Sequence, residues 1–199
     1  MRHFVNPPSN LPEKDQLRSW IRLAQQQDVR GQQYIYEAFA GRMLLAIRRY
    51  IPGEQEALDV LQDGFIKVFG NIGGYTFKGS FEGWMRRIMV NLAIDSLRAA
   101  KHLQWVGENE EMLDVLSDPV YPDAETGPEW AGLTQKDILD AMERLTPMYR
   151  AVFNLYAIEE YSHREIAAEL GISEGTSKSN YAKARRNLRE WLREKLKRQ

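Results

Sequence analysis

SHREIAAELGISEGTSKSNYAKARRNLREWL, residues 162–192, is the stretch whose reading decides the fold. Ser162 followed three residues later by Glu165 is a capping box, so the spacing predicts a helix beginning at His163. Ile166, Ala167 and Leu170 fall on one face of that helix. Gly171 can take the left-handed conformation that ends a helix, and Ile172 fills the corner that follows. Ser173 then caps a second helix, with Glu174 in the first turn where the helix dipole favours an acid. This second helix opens on Gly175, Thr176, Ser177, Lys178, Ser179 and Asn180, side chains small or polar enough to approach bases and phosphates. Lys183, Arg185, Arg186 and Arg189 continue it, and from Thr176 to Gln199 nine Lys/Arg face two Glu, a local balance of +7. Two helices joined by a glycine turn, the second one basic, are the sequence form of a helix-turn-helix, which lays its second helix in the DNA major groove. A solvated basic face would account for the charge alone; the coincidence of cap, turn and basic second helix favours DNA.

Working outward, the whole chain has 199 residues and a net charge of only −1, low for a nucleic-acid binder. The distribution resolves the conflict: residues 1–100 carry +3, residues 101–140 carry −8, and residues 141–199 carry +4. Two mildly basic segments flank an acidic one. Cysteine is absent, which excludes disulfide and thiolate chemistry and fits a reducing compartment. The first residues have no apolar h-region, and no apolar run approaches the ~20 residues of a membrane span. A cytoplasmic, nucleoid-associated protein without membrane insertion is expected. His3, His102 and His163 are scattered, and no P-loop, paired-carboxylate or metal-ligand spacing stands out, so no catalytic residue, metal or cofactor is expected and the chain does not read as an enzyme.

Periodicity predicts an all-α protein. Residues 1–11 read as a disordered prefix. Helices are expected from Pro12 to Gln27, from Val29 (after the cap Asp28) to Ile51, from Gln55 to Asn71, and from Phe81 (after the cap Ser80) to Ala100. Tyr34, Ile35, Ala38, Phe39, Met43, Leu44 and Ile47 form the expected buried stripe of the second. Gly73 to Gly79 is an aromatic and basic loop. Helical periodicity stops between His102 and Thr134, where Pro119, Pro122, Gly127, Pro128 and Gly132 punctuate an acidic linker. It resumes from Gln135 to Arg144 and, after Thr146 and a proline at the first helical position, from Pro147 to about Ile158. Two small helical domains, 12–101 and 134–199, are therefore expected on either side of a linker at 102–133.

Two blocks together resemble bacterial extracytoplasmic-function sigma factors of the sigma-70 family. The first is Asp59-Val60-Leu61-Gln62-Asp63-Gly64-Phe65-Ile66-Lys67-Val68-Phe69 with the run from Ser80 through Trp84, Arg86, Arg87, Asn91 and Asp95 to Arg98, similar to sigma domain 2. The second is Leu145 to Phe153 with the helix-turn-helix, similar to sigma domain 4. The resemblance implies a subunit that binds core RNA polymerase, at its clamp helices and flap, and directs initiation at promoter DNA. Domain 4 would read the −35 element as duplex; domain 2 would open and read the −10 element. On the first block it implies polymerase contacts at Asp59, Gln62, Asp63 and Ile66. It implies −10 contacts at Tyr75, Phe77, Lys78, Trp84, Arg86, Arg87, Asn91 and Arg98, with Trp84 equally readable as core. On the second it implies −35 contacts at Thr176, Lys178, Ser179 and Lys183, with Arg150 and Arg164 as phosphate clamps. Trp191, Leu192 and Leu196 either reach the polymerase flap or cover their own domain. The linker either mimics nucleic acid in the polymerase or is a solvated tether. An anti-sigma factor or another recruiting factor stays open as a partner. Ser177 stands where the family usually has an apolar residue, so helix packing there is expected to differ; Asn180 and Ala182 replace commonly basic or larger residues, and the three mark where a private −35 preference is expected. An ordinary regulator with a sensor domain is the competing reading; the Asn91 helix with its basic neighbours disfavours it.

Overall fold

The computed structural model describes residues 12–99 and 133–197. The expected disordered prefix and most of the acidic linker lie outside these residues. Among the described residues every regular element is helical, and the chain divides into two compact units, Met1–Leu97 and Arg98–Gln199.

In the first unit the helices are α1, Lys14–Gln25; α2, Val29–Arg48; α3, Glu54–Asn71; and α4, Phe81–Ala99. Each boundary has a local cause. Asp28 accepts a hydrogen bond from the Arg30 amide at 2.9 Å and caps α2 as expected. α2 stops at Arg48, short of the expected Ile51: the Tyr50 amide tightens to an i→i−3 bond on the Ile47 carbonyl, which the Ile51 amide shares, just ahead of Pro52. A 3-10 turn at Ile72–Gly74, absent from the sequence reading, follows α3 and leads into the loop before α4. The core draws Ile21 and Ala24 from α1, Ile35, Phe39, Met43 and Ile47 from α2, Leu61, Phe65 and Val68 from α3, and Met85, Met89 and Ile94 from α4. Tyr34, expected in the buried stripe, is exposed and stacks on Trp20 with ring centroids 5.1 Å apart. Gly64 costs up to ~1 kcal/mol of helix propensity relative to Ala. Its reason is contact: a Cβ there would overlap the Met89 thioether of α4.

In the second unit the helices are α5, Gln135–Glu143; α6, Pro147–Ala157; α7, His163–Leu170; and α8, Glu174–Leu196. All four are capped by a Ser or Thr side chain: Thr134, Thr146, Ser162 and Ser173. The Ser162–Glu165 box is complete, and Gly171 takes φ 68°, ψ 34°, the left-handed cap the sequence called for. α8 is the long element on which the others pack. Ala184 and Leu188 of α8 meet Ala141, Met142 and Leu145, flanked by Tyr149, Phe153, Ile158, Trp191 and Leu192. Trp191 and Leu192 thus cover their own unit, with the Arg144 guanidinium 5.9 Å from the Trp191 ring centroid.

Candidate nucleic-acid interface

Helix α8 sorts its first turns into two sides. Lys178 and Ser179 are exposed, and Thr176 and Lys183 are half-buried. Ser173 Oγ lies 2.8 Å from Thr176 Oγ1 and accepts from the Thr176 amide at 2.9 Å, so the cap also fixes a candidate contact residue. Lys178 Nζ pairs with Glu174 at 2.8 Å one turn earlier, and that hydrogen bond holds the Glu174 carboxyl below its ordinary value. On the other side Ser177 is fully buried and Asn180 is 9% exposed. The burial of Ser177 agrees with the packing position expected for it, and the burial of both residues corrects the expectation that they express a −35 preference. They face their own unit, and the Ser177 hydroxyl lies 3.0 Å from His163 Nδ1. Ala182 is half-buried.

His163 is the functional-region residue that the sequence reading passed over. Its ring stacks on Tyr156 with centroids 4.3 Å apart and an interplanar angle of 12°, and meets Tyr181 edge-on at 5.9 Å. Burial, then the nearby Lys178, push its pKa below the ordinary value. The ring joins α6, α7 and α8. No periodicity could announce this, because its partners lie seven, fourteen and eighteen residues away.

Arg150 requires a second correction. It was expected to clamp a phosphate, but it is 5% exposed and its Nη1 donates to the Glu143 carbonyl at 3.3 Å. Burial pushes its pKa down, and its guanidinium ties α6 to the end of α5 instead of facing solvent. Arg164, the other expected clamp, is exposed.

In the first unit the loop after α3 packs its aromatic residues into one cluster. Tyr75 is 7% exposed, its hydroxyl donates to the Gly79 carbonyl at 3.0 Å, and its ring contacts Phe77, Phe81 and Trp84. Burial raises its pKa. Tyr75 is thus a scaffold of the loop, which corrects its expected place as a base contact. Trp84 is half-buried and stacked on Phe81 at 5.6 Å, so both of its readings survive in part. Phe77 is half-buried, and Lys78 is exposed. On α4, Arg87 and Arg98 are exposed. Arg86 is half-buried and held by Glu82 at 3.2 Å, the same carboxylate that Arg42 of α2 engages at 3.0 Å. Asn91 is half-buried, and its Oδ1 is sequestered with no hydrogen-bond donor among the described residues. On α3, Asp59, Gln62 and Asp63 are exposed and Ile66 is 64% exposed, an apolar side chain among acids.

Among the described residues no helix is long and apolar enough to cross a membrane, and no group of His, Cys, Asp or Glu is placed to hold a metal ion.

One unit is an apolar-cored helical module and the other contains a helix-turn-helix. Residues 35–103 match the family model Sigma-70 region 2, and residues 135–188 match Sigma-70, region 4. The chain is 32% identical over 158 residues to the ECF RNA polymerase sigma factor SigE of Mycolicibacterium smegmatis, covering 77% of this chain and 58% of that one. It is 31% identical over 168 residues to the ECF RNA polymerase sigma factor SigW of Bacillus subtilis, covering 80% and 88%. Among solved structures it is similar to the sigma factor RpoE of Bartonella quintana, determined in complex with the anti-sigma factor NepR, at a TM-score of 0.48 and 20% identity over 80% of this chain and 95% of that one. The chain belongs to the extracytoplasmic-function sigma factors of the sigma-70 family, which are transcription initiation factors.

Proposed function

We propose that the chain binds core RNA polymerase and selects promoters with its two units, α8 reading the −35 element as duplex and α4 with the preceding loop holding the melted −10 strand. The observation that carries this reading is the division of α8. Lys178 and Ser179 face solvent at the N-terminal end while Ser177, Asn180 and Ala184 fix the opposite side. A recognition helix contacts base edges from that end. Thr176, Lys183 and Arg164 complete the −35 set. In the first unit Phe77, Lys78, Trp84, Arg86, Arg87, Asn91 and Arg98 supply what single-strand capture needs: cations for phosphates, aromatic faces for stacking, and an amide for a base edge. Asn91, half-buried on α4, supplies that amide. Asp59, Gln62, Asp63 and Ile66 supply the polymerase-facing surface of α3, with Ile66 as its apolar anchor.

The domain division 12–101, 102–133 and 134–199 belongs to the same reading. The acidic linker either mimics nucleic acid in the polymerase or is a solvated tether, and an anti-sigma or recruiting factor stays open as a partner. Transcript start mapping with holoenzyme reconstituted from this chain and core polymerase tests the proposal. Discrete starts with two shared upstream elements are expected. Duplex binding by the chain alone, with no initiation, would support an ordinary regulator instead.

A further inference from the structure

We propose that Arg18 and Arg22 of α1 belong to the single-strand path, forming with Phe77 and Lys78 a seat for one nucleotide of the melted strand beside the α4 contacts. The proposal rests on the reading of the first unit as a melted-strand binder, and neither arginine lies in the motif that led to that reading. Both guanidinium carbons approach the Phe77 ring, at 5.6 Å for Arg18 and 6.0 Å for Arg22, within cation–π range. The same two arginines line a concavity of about 340 Å³ on α1 with Ser19, Leu23, Gln26 and one acid, Asp15. Phe77 is held with φ 60°, in the left-handed region that bulky side chains avoid. Such strain collects where a ligand is clamped.

The placement is rigid, because the Gln25 side-chain amide donates to the Ile72 carbonyl at 3.0 Å and to the Tyr75 carbonyl at 2.9 Å, fastening α1 to the loop. Basic groups arranged around a partly exposed aromatic face match a phosphate and its unstacked base. Arg22 also sits in the last turn of α1, where it complements the helix dipole, but that role requires neither Arg18 nor Phe77.

The test uses holoenzyme and a fluorescent single-stranded oligonucleotide carrying the mapped non-template −10 sequence, titrated over a range of salt. The double variant R18Q/R22Q is expected to weaken binding about tenfold and to flatten the salt dependence by about 0.7 in log–log slope, the one phosphate contact that the two arginines share. F77A is expected to weaken binding about tenfold with the slope unchanged, and F77W to restore it. D15N is expected to tighten binding. F77N, which tolerates the left-handed backbone, separates loss of the ring from loss of folding. Melting temperature, affinity for core polymerase and binding to −35 duplex are expected to stay at wild-type values in R18Q/R22Q. Wild-type affinity and slope in R18Q/R22Q would overturn the proposal, as would a loss of affinity without a change in slope. If the unmodified holoenzyme fails to bind the strand, the melted-strand reading itself falls and this inference falls with it.

Discussion

Helices α4 and α8 both carry proposed DNA contacts, yet they are held in opposite ways. α4 buries Phe81, Met85, Met89, Val90, Ala93, Ile94 and Leu97, all apolar. The longer α8 buries Ser177, Asn180, Ala184 and Leu188, and the two at its reading end are polar. Helix α4 is therefore anchored by hydrophobic area, which is large but non-directional. The reading end of α8 is anchored by a cap and by the contacts of Ser177, which are weaker but fix orientation. The difference suits the two proposed tasks. A helix that handles melted strands needs a firm platform, whereas one that reads base edges needs a set angle and register.

Breaking the apolar anchor has the largest expected effect. Met89 is fully buried beneath Gly64. Met89→Ala is expected to destabilise the first unit by about 2–5 kcal/mol, seen as a shift in the chemical denaturation midpoint. Polar anchoring of α8 predicts a smaller but more selective defect. Ser177→Ala removes the partner of His163 Nδ1 and is expected to cost roughly 1–3 kcal/mol, again by denaturation. If Ser177 sets the angle of α8, the variant also loses −35 duplex affinity while single-strand binding by the first unit is unchanged.

Acid sharpens the contrast with the smallest effect. His163 has a folded pKa below its ordinary 6.5, so the unfolded chain binds more protons and stability falls as pH drops below 6.5. Asp137 is held at about 2 against an ordinary 3.8 by hydrogen bonds with Thr134, so its contribution is present above 3.8 and disappears as pH falls towards 2. The second unit is expected to lose stability in these two windows by thermal melts at stepped pH. His163→Gln is expected to remove the upper window and leave the lower one intact.

The local signals of this fold were legible in the sequence because they act over three or four residues. Asp28, Thr146, Ser162, Glu165, Gly171 and Ser173 each fix a boundary through their own backbone neighbourhood. What the sequence hid depends on contacts across the chain. Arg150 reads as a surface cation until Glu143 and the packing of α6 enclose it. Tyr75 reads as a loop tip until Phe81 and Trp84 cover it. Asn180 looks like a base reader because polar residues on a basic helix are ordinarily exposed; here it takes an interior position, as Ser177 does at the place of a usual apolar residue. Arg18 and Arg22 gained meaning only when Gln25 tied α1 to the loop carrying Phe77.

The division of labour between α8 and α4 can be tested in one experiment: initiation by holoenzymes carrying Lys178→Ala or Arg87→Ala on two templates, an intact promoter and one pre-melted at −10 without a −35 element. Lys178→Ala is predicted to reduce initiation about tenfold or more on the intact promoter, the scale of a lost contact of 1–3 kcal/mol, and to match wild type on the pre-melted template. Arg87→Ala is predicted to be defective on both. Equal losses for the two variants on both templates would contradict the account.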